Sequence, residues 1–286
     1  MSKNKDLLIS LGLNDLEADV YILLLQGEPL TGYKIGKILG KPTANVYKAI
    51  ESLAKKGAVI IEDKKSSHCK AVPIIEFCES IEAGVRRKIL ETKEIFNKPK
   101  KETYDEKSYQ IQSVDLVFEK SRQMLKNCST VAMLDAFPKI IDFLMDDINE
   151  AIMRGIEVYL QVYQEVQVKG ANIVLIDVYE QVLEYWKSQQ LNLIIDGKEH
   201  LLALLSQDLS DIYQATWSKN LYISSMLHMG FSNHFAIASI KQVSSNDEYQ
   251  KQVKKILKKQ TILSSGKIPG VEEMLSRFGL IKEKVK

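Results

Sequence analysis

The junction between KPTANVYKAIESLAKKG (residues 41–57) and AVIIEDKKSSHCKAVP (residues 58–73) restricts the fold more than any other part of the sequence. Pro42 suits a first helical position, where an N–H would go unsatisfied in any residue. Val46, Ala49, Ile50 and Leu53 then recur at helical spacing and define an apolar face. Thr43, Ala44, Asn45, Tyr47, Lys48, Glu51, Ser52 and Lys55 are left on or near the other face. Gly57 stops the helix. The segments AVIIED and HCKAV predict two strands, with KKSS as the tip of their hairpin.

Two further helical patterns precede this junction. In LNDLEADVYILLLQG, Asn14 caps a helix and Glu17, three residues on, completes a capping box; Leu16, Val20, Leu23 and Leu24 form its apolar stripe. Thr31 caps a short helix, GYKIGKIL, that buries Ile35, Ile38 and Leu39 and closes at Gly40. Three helices followed by a hairpin make the order of a winged helix-turn-helix.

The remaining chain divides by composition. From Pro73 to about Lys98 a long helix carries Ile74, Cys78, Ile81, Val85, Thr92 and Ile95 near alternating three-four spacing, a stripe that asks for a partner helix. Its outer charge is balanced, five acidic against five basic residues between Ile74 and Pro99, which fits pairing of two subunits. NKPKKETYDEKS is polar, contains proline and lacks periodicity, as a linker does. Strand and helix patterns then alternate, ending in a hairpin around Asp196-Gly197 and a helix over KNLYISSMLHMGFSNHFAIASI; this predicts an α/β domain with a mixed sheet. The predicted organisation is therefore a winged domain over 1–73, a coiled-coil-like dimerisation helix over 74–98, a linker over 99–107, an α/β effector or oligomerisation domain over 108–245, and a basic helical tail over 246–286. In fold class this is α/β plus α+β.

With 286 residues, 45% of them hydrophobic, the chain suffices for about two globular domains. Three scattered cysteines make no disulfide framework, and no run approaches a membrane span or a cleavable leader, so a cytoplasmic protein without membrane contact is expected. The overall net charge of +2 is uninformative, but its distribution is not. Residues 30–73 carry nine lysines against three acids, a net of +6, whereas residues 1–29 carry two lysines against five acids, a net of −3. The positive charge falls on the second helix, the third helix and the hairpin, the elements that face a DNA backbone in this architecture.

These residues resemble the N-terminal domain of the TrmB family of transcriptional regulators. The shared features are Leu11-Gly12-Leu13, Glu17-Ala18-Asp19-Val20-Tyr21, Pro42 with Val46-Tyr47, Leu53-Ala54-Lys55-Lys56-Gly57, and Ala71-Val72-Pro73. Family members often carry basic residues just after that proline, where this chain has Thr43, Ala44 and Asn45. The resemblance further implies a phospholipase D-like C-terminal domain. Active enzymes of that type use H-x-K-x4-D, with histidine as the nucleophile. The one H-x-K here is His68-Cys69-Lys70, with Ile75 at the aspartate position, so no enzymatic activity is expected. In sugar-responsive members the ligand region lies beyond the phospholipase-like part, where this chain has only its basic tail.

The sequence thus predicts a dimeric, sequence-specific DNA-binding transcription regulator. Its recognition helix, 42–56, enters the major groove, with Thr43, Asn45 and Tyr47 reaching base edges and Lys48 a phosphate. Lys41 joins this surface, and the wing, 58–72, holds the backbone through Lys64 and Lys65. The partners are double-stranded DNA, a second copy of the chain and a small-molecule effector. No cofactor, metal site or catalytic residue is expected: His68 and Cys69 lack a second ligand pair, and His228 and His234 are six apart. Trp217 and His200 are candidates for lining a C-terminal pocket. The alternatives are a winged-helix protein-interaction module and a phospholipase D-like enzyme acting on nucleic acids.

Overall fold

The computed structural model describes residues 2–62, 68–96, 105–177, 179–243, 248–265 and 267–278. They fall into two compact units, Met1–Glu102 and Thr103–Lys286. The fold combines an N-terminal helical unit bearing a small sheet with a C-terminal α/β unit built on a mixed sheet.

In the first unit, α1 (Ser2–Ser10) precedes α2 (Asp15–Leu25), and Lys5 Nζ lies 2.8 Å from the carboxylates of both Asp15 and Asp19. The capping box at Asn14 is formed in full: Asn14 Oδ1 accepts from the Glu17 N–H and Glu17 Oε2 from the Asn14 N–H. Next come β1 (Leu30–Thr31), α3 (Gly32–Leu39), α4 (Thr43–Lys55), β2 (Val59–Ile61) and β3 (His68–Ala71). Thr31 caps α3, and Gly40 ends it in the left-handed region at φ 64°. The strands form an antiparallel sheet in the order β1-β3-β2, so β1, absent from the sequence-based expectation, adds a third strand to the hairpin. Val20, Tyr21, Leu24, Ile35, Val46, Ile50, Leu53 and Val59 are buried together as the core. Ile38, expected inside, is 54% exposed, because the short α3 turns only Ile35 fully inward.

The long helix α5 (Ile74–Phe96) is anchored at its start by Phe77, which is buried and packs 5.4 Å from the Tyr21 ring. Ile81 packs against the same core, whereas Val85, Ile89, Leu90 and Ile95 are exposed. Most of the expected linker lies outside the described residues.

The second unit contains β4 (Ser108–Gln110), α6 (Val114–Asn127), β5 (Val131–Ala136), α7 (Pro138–Met153), β6 (Glu157–Val162), β7 (Asn172–Leu175), α8 (Tyr179–Tyr185), β8 (Ser188–Ile195), β9 (Glu199–Ser206), β10 (Ile212–Ser218) and α9 (Leu221–Lys241). Its seven strands run in the order β4-β10-β9-β8-β5-β6-β7, parallel across β5, β6 and β7 and antiparallel elsewhere. Central strands covered on both faces should be apolar almost throughout, and VAMLDA and VYLQV are. Ala132, Leu134, Leu160, Leu191, Leu193 and Leu201 pack under α6 and α7. Val131, Met133, Tyr159 and Ile194 meet Phe231 of α9 on the other side.

The tail expected over 246–286 is part of this unit. Helix α10 (Tyr249–Leu263) packs along α9, and α11 (Pro269–Arg277) starts against the β8–β9 turn, where the Gly270 N–H donates to the Asp196 carbonyl at 2.9 Å. A Cβ on Gly270 would stand 2.0 Å from the Gly197 carbonyl oxygen, so this crossing admits only glycine.

Candidate nucleic-acid interface

Helix α4 is held by its apolar side, with Val46, Ala49, Ile50 and Leu53 buried. Its outward line is Lys41, Ala44, Asn45, Lys48, Glu51 and Lys55, spaced by three and four residues and exposed throughout. Asn45 lies at the centre of the first turns, and its side chain is free among the described residues. The Lys55 ammonium is 2.8 Å from Glu51, and because both are largely exposed this pair contributes little to stability.

Two predicted contacts are partly committed to the fold. The Tyr47 ring lies over α3 so closely that a Cβ on Gly32 would meet it at 2.7 Å; the side chain remains 45% exposed. Thr43 is half-buried beside Gly36, where a Cβ would find the Thr43 hydroxyl at 3.6 Å and the Lys41 carbonyl at 3.1 Å. Glycines at 32 and 36 therefore let α3 and α4 approach closely, and Ala44 takes a more outward place than Thr43. Lys64 and Lys65 lie outside the described residues. The strands that lead to them are formed, with Lys70 exposed on β3.

Lys56, one of the nine lysines of the basic segment, is turned inward. Its ammonium donates to Glu17 Oε2 at 2.6 Å and to the Gly12 carbonyl at 2.8 Å. Burial pushes the Glu17 carboxyl upward, but hydrogen bonds from Lys56 and Ser52 and from the Asn14 N–H outweigh it and hold the group below the ordinary carboxylate range. The pair ties the end of α4 to the start of α2. It was not legible beforehand because Glu17 already satisfied a capping box. Lys34 and Lys37 of α3, which the sequence reading counted only as charge, are exposed. The acids Asp15, Asp19 and Glu17 are bound to Lys5 and Lys56, and Glu51 is the one acid on the outward line of α4.

In the second unit, neither Trp217 nor His200 lines a cleft identified among the described residues. His200 is buried, with Nδ1 2.8 Å from Ser224 Oγ, and burial pulls its imidazole below the usual value. The Trp217 indole donates to Glu199 Oε1 at 2.6 Å, and the Lys120 ammonium stands 4.1 Å from the ring centre. A cleft of about 300 Å³ opens instead between β6, β7, α9 and α10, lined by Tyr159, Asn172, Phe235, Lys259 and Gln260. His228 is buried against the Leu263 carbonyl at 3.0 Å, and His234 is exposed. His68 lies on β3 of the first unit and is not part of the seven-stranded sheet, and the described residues hold no cluster of metal-ligating side chains. No described helix is long and apolar enough to cross a membrane.

Comparison with known proteins bears on the first unit above all. Residues 7–74 match the sequence model of the family described as sugar-specific transcriptional regulator TrmB. The uncharacterized protein YrhO of Bacillus subtilis is 23% identical over 217 residues, spanning 76% of this chain and 78% of that protein. Among solved structures, TrmBL2, an archaeal chromatin protein described as showing a novel mode of DNA binding, aligns with a TM-score of 0.41 and 17% identity, over 83% of this chain and 98% of that one. NucT from Helicobacter pylori aligns with a TM-score of 0.35 and 9% identity, over 46% of this chain and 94% of that one.

Proposed function

Taking residues 7–74 as a module of the TrmB regulator type, we propose that this chain is a non-enzymatic, dimeric DNA-binding transcription regulator in which α4 enters the major groove and the β2–β3 hairpin follows the phosphates. The observation that carries this is the outward line of α4. It has a small residue, Ala44, and an amide, Asn45, at its centre and Lys41 and Lys48 on either side. An amide can pair in a bidentate way with adenine, while flanking lysines hold phosphates without reading sequence. Asp15, Glu17 and Asp19 are paired with Lys5 and Lys56, and Glu51 of the outward line with Lys55, so the lysines of α3 and α4 outnumber the acids there and the field over the two helices is positive.

Dimerisation belongs to the exposed stripe of α5, where Val85, Ile89 and Leu90 form an apolar groove flanked by Glu82, Arg86 and Lys93. Two such stripes bury one another and bring two winged modules onto a two-fold operator. A small effector has a place in the cleft beside Tyr159 and Phe235. It can change operator affinity only by its preference for one of two arrangements of the dimer, and DNA must change effector affinity by the same factor.

The test is base readout. Asn45→Ala should alter preference at one base pair, by about 1–3 kcal/mol, whereas Lys48→Ala should weaken all sequences alike and reduce the salt slope by about one. Selection of bound duplexes from a random pool, followed by titration at several salt concentrations, measures both. An equal loss on every sequence for the two variants would remove Asn45 from base reading. An unselected pool from the wild type would remove the regulator itself.

A further inference from the structure

Helix α10 carries YQKQVKKILKKQTIL, five lysines and no acidic residue. Lys251, Lys254, Lys255, Lys258 and Lys259 stand at i, i+3, i+4, i+7 and i+8, which places them along one side of the helix, and all five are exposed. At 1.5 Å per residue the row is about 12 Å long. Like charges at i, i+4 disfavour a helix, and three such pairs occur here: 251 with 255, 254 with 258, and 255 with 259. The helix stands because its other side is held by α9: Leu263 packs against the cluster around Phe231, and Gln260 Nε2 donates to Asn233 Oδ1. Among the described residues, Lys251 pairs with Glu248 and Lys259 donates to Asn172, while Lys254, Lys255 and Lys258 have no ion-pair partner. Helix α5 is different, with five acids against four bases.

We propose that this lysine row is a second, sequence-independent site for double-stranded DNA, gripping phosphates beyond the base pairs read by α4. The inference rests on the regulator reading above, because DNA held by the winged module supplies a high local concentration of phosphate to the rest of the same chain. Unbranched ammonium side chains suit backbone contact more than base reading, and of the glutamines in α10 Gln252 and Gln260 are half-buried, with Gln250 exposed at the end of the row. An anionic membrane would ask for an apolar side free to insert beside the lysines. In α10, Leu263 packs against α9, and the exposed apolar residues Tyr249, Leu257 and Ile262 point to different sides of the helix and make no continuous inserting face, which favours DNA.

The experiment uses the full chain, a selected operator duplex and an unrelated duplex of equal length. The triple substitution Lys254→Gln, Lys255→Gln and Lys258→Gln keeps helix propensity and leaves Lys259 and its cleft untouched. Affinity should fall by the same factor on both duplexes. The slope of log affinity against log salt should shrink by about 0.9 for each phosphate contact removed, up to about 2.7 per row. Replacing the same three lysines by arginine should retain the wild-type slope. Unchanged affinity and slope in the glutamine variant would overturn the proposal while leaving the winged module intact. So would lysine-dependent binding to vesicles of phosphatidylserine and phosphatidylcholine with DNA binding unaffected. A wild-type chain that binds neither duplex would sink this site and the regulator reading together.

Discussion

Asp196 and Asp135 are carboxylates of the same sheet in opposite environments. Asp196 accepts from the N–H and hydroxyl of Ser129, each at 2.8 Å, from the N–H and hydroxyl of Thr130 at 2.8 and 2.7 Å, and from the Val131 N–H at 3.0 Å. Burial alone would push its carboxyl up, but these donors outweigh burial and hold it below the ordinary range. Asp135 receives the amides of Gln190 and Asn192 on one oxygen only, at 3.0 and 3.1 Å, and its other oxygen is shielded and unpartnered among the described residues. There burial prevails and the carboxyl is raised. The signs of the two pH effects are opposite. Stability from Asp196 is full above the unfolded value of about 3.9 and drains as pH falls through its lower folded value. At Asp135 the folded chain binds the proton more tightly, so stability is lost as pH rises from about 3.9 through the raised value. Asp196→Asn should therefore cost about 2–4 kcal/mol at pH 7 and progressively less in acid. Asp135→Asn should gain about 1 kcal/mol at pH 7 and nothing below pH 4. Both tryptophans, Trp186 and Trp217, lie in the second unit, so urea unfolding followed by their fluorescence between pH 3 and 8 reads this unit directly. A gain from Asp196→Asn, or a loss from Asp135→Asn at pH 7, would contradict the assignment.

Elements with a local signal were legible. The capping box at Asn14, the Thr31 cap, the stop at Gly57 and the β8–β9 hairpin at Asp196-Gly197 all follow from residues a few positions apart. The elements that were not legible owe their existence to distant partners. β1 is two residues long and exists because β3 pairs with it, and β10, IYQATWS, is a strand because β9 and β4 hold it on both sides. The docking of α11 belongs to the same class. Pro269-Gly270 reads as a break between helices, yet Pro269 opens α11 and Gly270 provides the space for the Gly197 carbonyl. In the candidate interface, periodicity placed Asn45 and Lys48 correctly on the outward line. The commitment of Tyr47 to Gly32 and of Lys56 to Glu17 needed the third dimension. Gly270→Ala should separate α11 from the β8–β9 turn, since a Cβ there meets backbone and not a flexible side chain. Hydrogen exchange should show lost protection over 270–277, including the amide at position 270 that donates to Asp196, with α2 and α4 unchanged. Wild-type protection across 270–277 in the variant would show that the crossing can relax.

On the scale of the whole molecule, the proposed dimer rests on α5 beyond the residues that its own unit uses. Phe77 and Ile81 belong to the core of the first unit, so a charge at Ile81 would damage folding and assembly together. Ile89 is 47% exposed and serves better. Ile89→Lys should leave the thermal unfolding of the first unit unchanged, convert dimers to monomers in sedimentation equilibrium, and weaken operator binding by an order of magnitude or more, because half-sites then bind singly. An intact dimer would place the interface elsewhere, for example on the sheet unit. The pairing of β4 with β10 has a consequence for how the chain is made. Ser108 opposes Ser218 and Gln110 opposes Thr216, so the edge strand that begins the second unit waits for about a hundred further residues before its partner leaves the ribosome. At about 5–20 residues per second, that delay is on the order of five to twenty seconds. Throughout it the first unit is already synthesised, with its α5 stripe in the open, so the proposed dimer would let two nascent chains on one message join by their helices before either has closed its large sheet.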